Sequence, residues 1–285
     1  MNTQHRDNDI TLVVGGTGKT GRRVAERLAA GGRPVRIGSP SSRPGFDWND
    51  ETTWEPALEG VGAAYLTYAP DLGLPGAADR VRDLAAAALG AGVRRLVLLS
   101  GRGQHGHAPA ERAVRDSGLA WTIVRSAWFA QNFSEGFLTP MVVDGILAVP
   151  AGEAAEPFVD AGDLADVAVA ALTDERHSGE IYEVSGPRML RFADAAEEIS
   201  RATGRPVHFV PISERDFADG MAAAGVAGEL VTVLVEVFAE LRDGRNATIA
   251  DGVHRALGRP PRDFVEYARD AAAAGAWSVP AGVRP

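Results

Sequence analysis

Short apolar segments alternate with longer helix-like segments throughout the first half of the chain. The apolar segments are nearly continuous, as RLVLLS at Arg95–Ser100 illustrates. Such runs are typical of strands covered on both faces, and intervening helices indicate a doubly wound parallel sheet of the α/β class. Strands are predicted at Thr11–Val14, Pro34–Gly38, Ala63–Tyr68, Arg95–Ser100 and Trp121–Val124, with helices at Thr20–Ala30, Trp54–Leu58, Ala77–Leu89 and Ala110–Ser117.

The pattern changes in the second half, where helical periodicity dominates. We predict a first domain at residues 1–150 and a smaller, mostly helical α/β region at residues 151–285. This second region is expected to pack on the carboxyl edge of the sheet and to cover a ligand there. The pattern predicts short strands at Ile146–Val149 and Ile181–Val184, and helices at Leu164–Leu172, Ala193–Thr203, Asp216–Ala223, Glu229–Leu241 and Asp263–Ala274.

Composition narrows the possible partners. Basic residues number 29 and acidic residues 38, so the formal charge is −9, which disfavours nucleic acid as a partner. Cysteine is absent, which excludes disulfides and thiolate metal sites. The polar first nine residues do not resemble a signal peptide, and no run of about 20 apolar residues predicts a membrane span. We therefore expect a cytoplasmic protein with a small-molecule substrate; monomer and homodimer stay open.

A glycine-rich segment follows the first predicted strand and opens the first helix. Gly15, Gly18 and Gly21 form G-x-x-G-x-x-G within VVGGTGKTGR. Glycines allow a tight turn and a close backbone approach, and free amides at the helix start favour an anion. At this place in the chain, the pattern predicts an NAD(P)-binding Rossmann domain. The alternative is a glycine turn that only permits close packing of helix and strand.

Two nearby features refine this prediction. The segment Gly18-Lys19-Thr20 resembles the end of a nucleoside-triphosphate P-loop, but that motif would require glycine at Val13. The second predicted strand is followed by the hydroxyls and guanidinium of Ser39–Arg43, with no acidic residue. An acid there would favour NAD, whereas hydroxyls and arginines suit the 2′-phosphate of NADP. NADP (as NADPH) is therefore favoured and NAD is not excluded; the alternative is a solvated polar loop.

The proton-transfer pair of ordinary ketone reductases is missing. A Tyr-x-x-x-Lys pair lowers the pKa of its tyrosine, but Lys19 is the only lysine in the chain and follows no tyrosine at that spacing. An iminium carbon is already electrophilic and needs no proton in the hydride step, while quinones and activated enones need one modest donor. A site without this pair is suited to positioning a hydride donor against such an acceptor.

Several side chains near predicted strand ends are candidates for chemistry, each with a structural alternative. Tyr68 is a possible proton donor or partly buried aromatic residue, and Ser100 a catalytic hydroxyl or polar strand terminus. His107 is a possible proton relay, and no metal site is predicted for it and its neighbour His105. The remaining candidates are Arg102 (substrate charge or solvated loop), Trp128 (substrate surface or core) and Asp163 (helix N-cap, with catalysis the minority alternative).

Four segments carry a likeness to a known family: GGTGKTG in the glycine loop, LLSGRG at 98–103, RSAWFAQNF at 125–133 and PFVDAGDLADVA at 157–168. Over nearly its whole length the chain resembles the NmrA-like atypical short-chain dehydrogenases. Within this group it is most similar to ergot-alkaloid-type reductases, namely agroclavine dehydrogenase and festuclavine synthase, and to their bacterial homologues. The resemblance implies a Rossmann domain, NADP(H) binding and reduction of an iminium or conjugated C=C or C=N bond.

The resemblance also implies roles for individual residues. Asp47 and Trp48 correspond to a step after the third strand beside adenine, and Phe129 and Asn132 to the stretch beside nicotinamide. Pro40 and His107 depart from the family, where many members carry arginine and lysine at these places. The pyrophosphate loop corresponds to Gly15, Gly16, Thr17, Gly18, Lys19, Thr20 and Gly21, and the segment along the cofactor to Tyr68, Ala69 and Pro70.

Two functional hypotheses follow. The first is an NADPH-dependent oxidoreductase that transfers hydride to an electrophilic C=N, C=C or quinone acceptor in a small aromatic or heterocyclic molecule. The alternative is a non-catalytic NAD(P)-binding redox sensor that acts through a protein partner. Turnover separates them, because a sensor binds the dinucleotide without consuming it. The aromatic stretch Trp128–Phe133 favours the enzyme, since it suggests a substrate pocket.

Overall fold

The computed structural model describes residues 9–278 and shows an alternating α/β chain over that range. The strands are β1 (Ile10–Val14), β2 (Val35–Gly38), β3 (Val61–Leu66), β4 (Arg95–Gly101), β5 (Ala120–Ser126), β6 (Ile146–Val149), β7 (Ala155–Glu156), β8 (Glu180–Val184), β9 (Leu190–Arg191) and β10 (His208–Pro211). The helices are α1 (Gly21–Ala30), α2 (Trp54–Leu58), α3 (Ala77–Gly90), α4 (Ala108–Arg115), α5 (Leu138–Val143), α6 (Ala161–Thr173), α7 (Phe192–Thr203), α8 (Glu214–Ala223), α9 (Gly228–Arg242), α10 (Gly252–Leu257) and α11 (Phe264–Ala273).

Six strands form one parallel sheet in the order β2-β1-β3-β4-β5-β8. Val13 of β1 lies in register between Ile37 of β2 and Tyr65 of β3. Leu12 and Val13 point to opposite faces of the sheet, and both have no exposed surface. The sheet is therefore covered on both sides, which explains the continuous apolar runs in the sequence. The predicted doubly wound Rossmann fold is confirmed.

Sequence patterns and observed elements differ mainly where the elements are short. Ile146–Val149 forms the predicted strand, whereas β3 begins and ends two residues before the predicted Ala63–Tyr68. The prediction omits five elements, namely the strands β7, β9 and β10 and the helices α5 and α10. None of these exceeds six residues, too few to show a period of their own. Within residues 9–278, no helix combines the length and apolar character needed to cross a bilayer.

The chain forms two compact units, each built from several segments. Within the described residues, the first unit comprises 9–126, 161–184 and 251–259, and the second comprises 127–160, 185–250 and 260–278. This division differs from a single boundary at residue 150. The physical reason is that β8 completes the parallel sheet beside β5, so a later part of the chain belongs with the first unit.

Each unit has its own hydrophobic core. In the first, the core includes Leu12, Leu66 and Leu98 of the sheet, together with buried side chains of α2 and α3. In the second, phenylalanines dominate, and neighbouring rings have centroids 5.2 to 5.8 Å apart. The rings belong to Phe133, Phe158, Phe192, Phe238 and Phe264. Edge-to-face contacts of this kind add to the stability from burial.

Candidate functional site

The glycine loop connects β1 to α1 and is folded tightly on itself. Gly15 has φ of 69°, and a Cβ at this position would lie 2.1 Å from Thr67 Oγ1. A Cβ at Gly21 would lie 2.2 Å from the carbonyl oxygen of Gly15. The Gly18 amide donates to the same carbonyl at 2.8 Å. Only glycine therefore fits at both ends of the loop, since one position needs a left-handed backbone and both need close approach.

The start of α1 remains available to an anion. In the part of the chain that the structure describes, the side chain of the N-cap residue Thr20 makes no capping hydrogen bond, and the first turn contains no acidic residue. The helix dipole and the amides of the first turn thus meet no competing negative side chain. Thr17 and Gly18 are exposed, Lys19 is half-buried, and Gly16 and Thr20 are buried. This arrangement fits a dinucleotide pyrophosphate.

A serine-rich turn follows β2. The Ser42 hydroxyl closes the turn, because it accepts from the Ser39 amide at 3.1 Å and lies 2.8 Å from the carbonyls of Ser39 and Pro44. The hydroxyls of Ser39 and Ser41 face each other at 3.3 Å. Arg43 is exposed, and no hydrogen bond or ion pair of its side chain occurs among residues 9–278. The Ser41 hydroxyl and the Arg43 guanidinium are thereby exposed to a phosphate group, and Ser39, which is 6% exposed, contacts the Ser41 hydroxyl from within the turn.

An aromatic group lies in the loops that follow β2 and β3. Trp48 donates its indole N–H to the carbonyl of Thr67 at 3.0 Å, and its ring centroid is 4.9 Å from that of Tyr68. Tyr68 is half-buried, and Ala69 and Pro70 beyond it are exposed. The Asp47 carboxylate accepts from the Asn49 amide at 2.8 Å within its own turn.

One expectation about this group is wrong. Asp47 and Trp48 precede β3, whereas the family resemblance set them after the third strand. Both residues lie in the long connection between β2 and β3, and the hydrogen bond from Trp48 to Thr67 attaches this connection to the residue that directly follows β3. Their place beside an adenine ring stays a prediction, as does the role of Tyr68.

The structure brings Ser100 and His107 together around the end of β4. The Gly101 amide donates to His107 Nδ1 at 2.9 Å, so this nitrogen is an acceptor and His107 Nε2 carries the proton. His107 Nε2 donates to Asp71 Oδ1 at 2.9 Å. The Ser100 hydroxyl lies 3.3 Å from Nδ1 but donates to Glu111 Oε1 at 2.7 Å, the shorter contact with the charged acceptor.

Glu111 is the centre of this network, and it has only 2% exposure. Arg125 approaches it with two nitrogens, Nε at 2.9 Å and Nη2 at 2.6 Å, in a bidentate pair. Burial alone would raise the pKa of Glu111, but the hydrogen bonds from Arg125 and Ser100 outweigh burial and lower the pKa below its ordinary value. Glu111 is therefore a carboxylate at neutral pH.

Arg102 is also part of a paired arrangement rather than an exposed substrate contact. Its side chain has 7% exposure, and Nε lies 3.1 Å from Glu183 Oε2. The other carboxylate oxygen of Glu183 lies 3.5 Å from Arg125 Nη1, so a chain of alternating charges extends from Glu111 to Arg102. Arg102 is therefore buried and paired with Glu183, which differs from the alternative of a solvated loop residue.

Sequence reasoning missed Asp71, Glu111, Arg125 and Glu183. One signal was available for Glu111, because it follows His107 by four residues in a short helix whose other buried positions are apolar. A charged residue on such a face requires a partner. Arg125 interrupts an otherwise buried strand in the same way. Nothing in the sequence indicates that these two side chains pair with each other.

Trp128, Phe129 and Asn132 lie in the second unit. The Trp128 ring packs against Phe238, with a centroid distance of 5.1 Å, which supports its interpretation as core. Phe129 forms an isolated parallel bridge with Val159. The backbone amide of Asn132 donates to the backbone carbonyl of Phe129 at 3.1 Å within a short 3-10 turn. Contacts of these residues with cofactor or substrate remain predictions.

The interpretation of Asp163 as an N-cap is wrong. Helix α6 begins at Ala161, so Asp163 is the third helical residue, and it is fully buried. Its Oδ1 lies 2.7 Å from Arg259 Nη1, which neutralises the carboxylate. Across residues 9–278, no group of three or more histidine, aspartate or glutamate side chains has an arrangement that could hold a metal ion.

Known proteins resemble this chain in sequence. A profile of the NAD(P)H-binding family matches residues 15–175, which include the glycine loop and four strands of the parallel sheet, β2 to β5. The chain is 32% identical to the NAD(P)H azoreductase of Xenophilus azovorans, over 93% of this chain and 99% of that protein. It is 28% identical to the agroclavine dehydrogenase of Claviceps fusiformis, over 91% of this chain and 96% of that enzyme.

Solved structures have the same fold. Triphenylmethane reductase of a Citrobacter species, in complex with NADP(H), matches with a TM-score of 0.73 and 21% identity, covering 92% of this chain and 99% of that one. A mutant of NmrA matches with a TM-score of 0.69 and 17% identity, covering 94% and 97%. The resemblance drawn from the sequence is thus confirmed, and the chain belongs to the NAD(P)H-binding family as an NAD(P)H-dependent oxidoreductase.

Proposed function

We propose that this protein uses NADPH to reduce an electrophilic C=N, conjugated C=C or quinone bond of a small aromatic or heterocyclic molecule. The observation that carries the proposal is that the glycine loop at the start of α1 is followed, after β2, by a serine turn that contains no acidic residue. The names of the azoreductase and triphenylmethane reductase relatives, whose acceptors are conjugated, support the same substrate class.

The residues of the first unit suit this cofactor by their chemistry. Backbone amides of Gly15–Gly21 would hold the pyrophosphate, and Ser39, Ser41 and Arg43 the 2′-phosphate. The bound cofactor supplies a hydride. Trp48 fixes the Tyr68 ring from one side, at 4.9 Å between centroids, so that Tyr68 would present a rigid aromatic wall with a hydroxyl donor.

We assign Ser100 and His107 a positioning role. The Ser100 proton points at Glu111, and the His107 proton at Asp71, so neither is directed at an acceptor elsewhere. Together they hold the end of β4 and the segment after β3 in fixed positions. Hydride transfer to an iminium carbon needs no further acid, whereas a quinone would take its proton from water or from Tyr68.

Cofactor choice can be tested with purified protein. We expect NADP⁺ to bind more tightly than NAD⁺ in calorimetric titrations, and Arg43→Gln to weaken NADP⁺ binding about tenfold while leaving NAD⁺ binding unchanged. Arg201→Gln is the matched control, because it removes an exposed arginine whose one ion pair in the described part of the chain is with Glu197 on its own helix. Equal loss for both coenzymes in Arg43→Gln would argue against a phosphate contact.

Turnover tests the reaction class. NADPH oxidation is followed with an iminium, a quinone, an enone, an azo dye and a simple ketone. We expect oxidation with at least one conjugated acceptor and none with the ketone. NADP⁺ binding without turnover on any acceptor would overturn the enzyme proposal and favour the redox sensor. We also expect Tyr68→Phe to reduce the rate with a quinone more than the rate with an iminium, since only the quinone needs a proton.

A further inference from the structure

A polar cavity lies at the end of the sheet opposite the glycine loop. It has a volume of about 500 Å³ and is lined by residues at the amino ends of β1, β3, β4 and β5 and at the carboxyl end of α6. All of these residues belong to the first unit. The strand β1 separates the cavity from the glycine loop by its five residues, about 15 Å. The volume falls in the usual range for small-molecule sites.

Three arginines face this cavity: Arg33, Arg94 and Arg95. Arg95 donates from Nη1 to the Leu172 carbonyl at 3.0 Å, and its buried Nε has no partner within the described chain. For Arg33, no hydrogen bond or ion pair of its guanidinium occurs among residues 9–278. Arg33 and Arg95 line the same cavity, and most of the N–H donors of their guanidiniums make no hydrogen bond within the described residues.

Arg95 lies in a partly desolvated place, near enough to Arg33 and Arg94 to be affected by their charges. Burial lowers the pKa of Arg95, the carboxylates of Glu175 and Asp174 oppose that shift, and the neighbouring charges of Arg94 and Arg33 add to it. Asp174 is engaged by Arg176, with 2.6 Å between oxygen and nitrogen. An oxyanion in the cavity would offset the repulsion among the arginines and accept from their unused donors.

The cavity also contains groups that suit an uncharged part of a ligand. Its lining includes the carboxylates of Asp9 and Glu175 and the hydroxyls of Thr11 and Thr173. The carboxylates would disfavour a bare polyanion but accept hydrogen bonds from ligand hydroxyls. A carboxylate ligand would use one guanidinium fork, whereas a phosphate has enough oxygens for both Arg33 and Arg95.

We propose that this cavity binds a small hydroxylated molecule through its phosphate monoester, with Arg33 and Arg95 as the phosphate ligands. The site is separate from the cofactor site and does not rest on the proposed function. Its distance from the glycine loop allows both sites to be filled at once. Of the two main ligands, Arg33 is exposed and Arg95 is half-buried, so the phosphate would enter past Arg33.

The test is calorimetric titration of the full-length protein with glucose 6-phosphate, inorganic phosphate and glucose. Ionic strength is held constant with chloride, and each titration is repeated with saturating NADP⁺ so that the glycine loop and serine turn are filled. We expect saturable binding of glucose 6-phosphate, weaker binding of inorganic phosphate and none of glucose, with or without NADP⁺. Absence of saturable binding by both phosphates would overturn the proposal.

Variants locate the site. Arg33→Gln is expected to weaken glucose 6-phosphate binding at least about fivefold, and Arg95→Gln about tenfold. Arg82→Gln is the control, because Arg82 is exposed on α3, pairs with Asp79 and does not line the cavity. If Arg95→Gln does not fold, Arg33→Gln decides, since the Arg33 guanidinium makes no hydrogen bond or ion pair within residues 9–278 that could be lost. Unchanged affinity in Arg33→Gln would show that the phosphate binds elsewhere.

Discussion

The Ser100 hydroxyl donates to Glu111 at 2.7 Å, and both residues are buried beneath the end of β4. A serine at the carboxyl end of a strand in this fold suggests a catalytic hydroxyl. Here its proton is committed to a carboxylate that is itself held by two nitrogens of Arg125. The contact therefore gives Ser100 a role in fixing the strand end, and it makes Glu111 a major determinant of local stability.

Glu111→Gln should destabilise the fold by about 2–4 kcal/mol, because it leaves Arg125 without its bidentate acceptor while the amide stays buried. Glu197→Gln is the control, since Glu197 is 67% exposed and pairs with the exposed Arg201 on its own helix at 3.0 Å. Its cost should stay below about 1 kcal/mol. Urea denaturation measures both values, and equal costs would contradict the central place of Glu111.

Acidification should lower the stability of the fold, because the carboxylates of Glu111 and Asp71 become protonated. The folded-state pKa values of Glu111 and Asp71 lie below their ordinary values of 4.5 and 3.8. A depressed carboxylate pKa stabilises the fold above the unfolded pKa, and this contribution disappears as pH falls through the folded pKa. The difference in unfolding free energy between wild type and Glu111→Gln should thus be constant near neutrality and shrink below pH 4.5. A difference that grows on acidification would contradict a lowered pKa of Glu111 in the folded protein.

Tyr65→Phe should stabilise the protein or leave its stability unchanged. The Tyr65 hydroxyl is fully buried and lies near the Thr20 side chain, but it meets hydrogen-bond geometry with no group among the described residues, and burial raises its pKa. Removal of an unsatisfied hydroxyl should gain up to about 1 kcal/mol. Tyr182→Phe provides the contrast, since its hydroxyl lies 2.8 Å from His177 Nδ1 and its loss should cost about 1 kcal/mol. Thermal and urea unfolding report both changes.

Gly15→Ala should be far more damaging than alanine at another left-handed glycine. Gly32 has φ of 72° and nothing within 4 Å of an added Cβ, so Gly32→Ala should cost only the backbone strain, about 1–2 kcal/mol. At Gly15 the same strain is joined by the clash with Thr67 Oγ1 at 2.1 Å. Unfolding free energies are compared for both variants. Titration with NADP⁺ should show loss of binding only in Gly15→Ala, and equal binding in the two would remove the glycine loop from the cofactor site.

The parallel sheet and its glycine loop are predictable from the amino-acid sequence. Strands covered on both faces must be apolar throughout, so RLVLLS indicates β4 without any knowledge of its neighbours. The left-handed turn at Gly15 and the close contact at Gly21 require glycine locally, so the spacing of the motif reports the loop geometry. These signals depend on interactions between residues near in sequence, or on burial alone.

The pairing of polar side chains, by contrast, depends on the folded chain. Glu111 and Arg125 are 14 residues apart and pair because α4 packs against β5. Arg259 reaches Asp163 from a segment nearly a hundred residues later, which turned an expected N-cap into a buried ion pair. Arg33 and Arg95 share a cavity because two distant strand beginnings lie at one sheet edge. Long side chains from separate segments leave no periodic trace in sequence, since their pairing depends on where the backbone places them rather than on their own spacing.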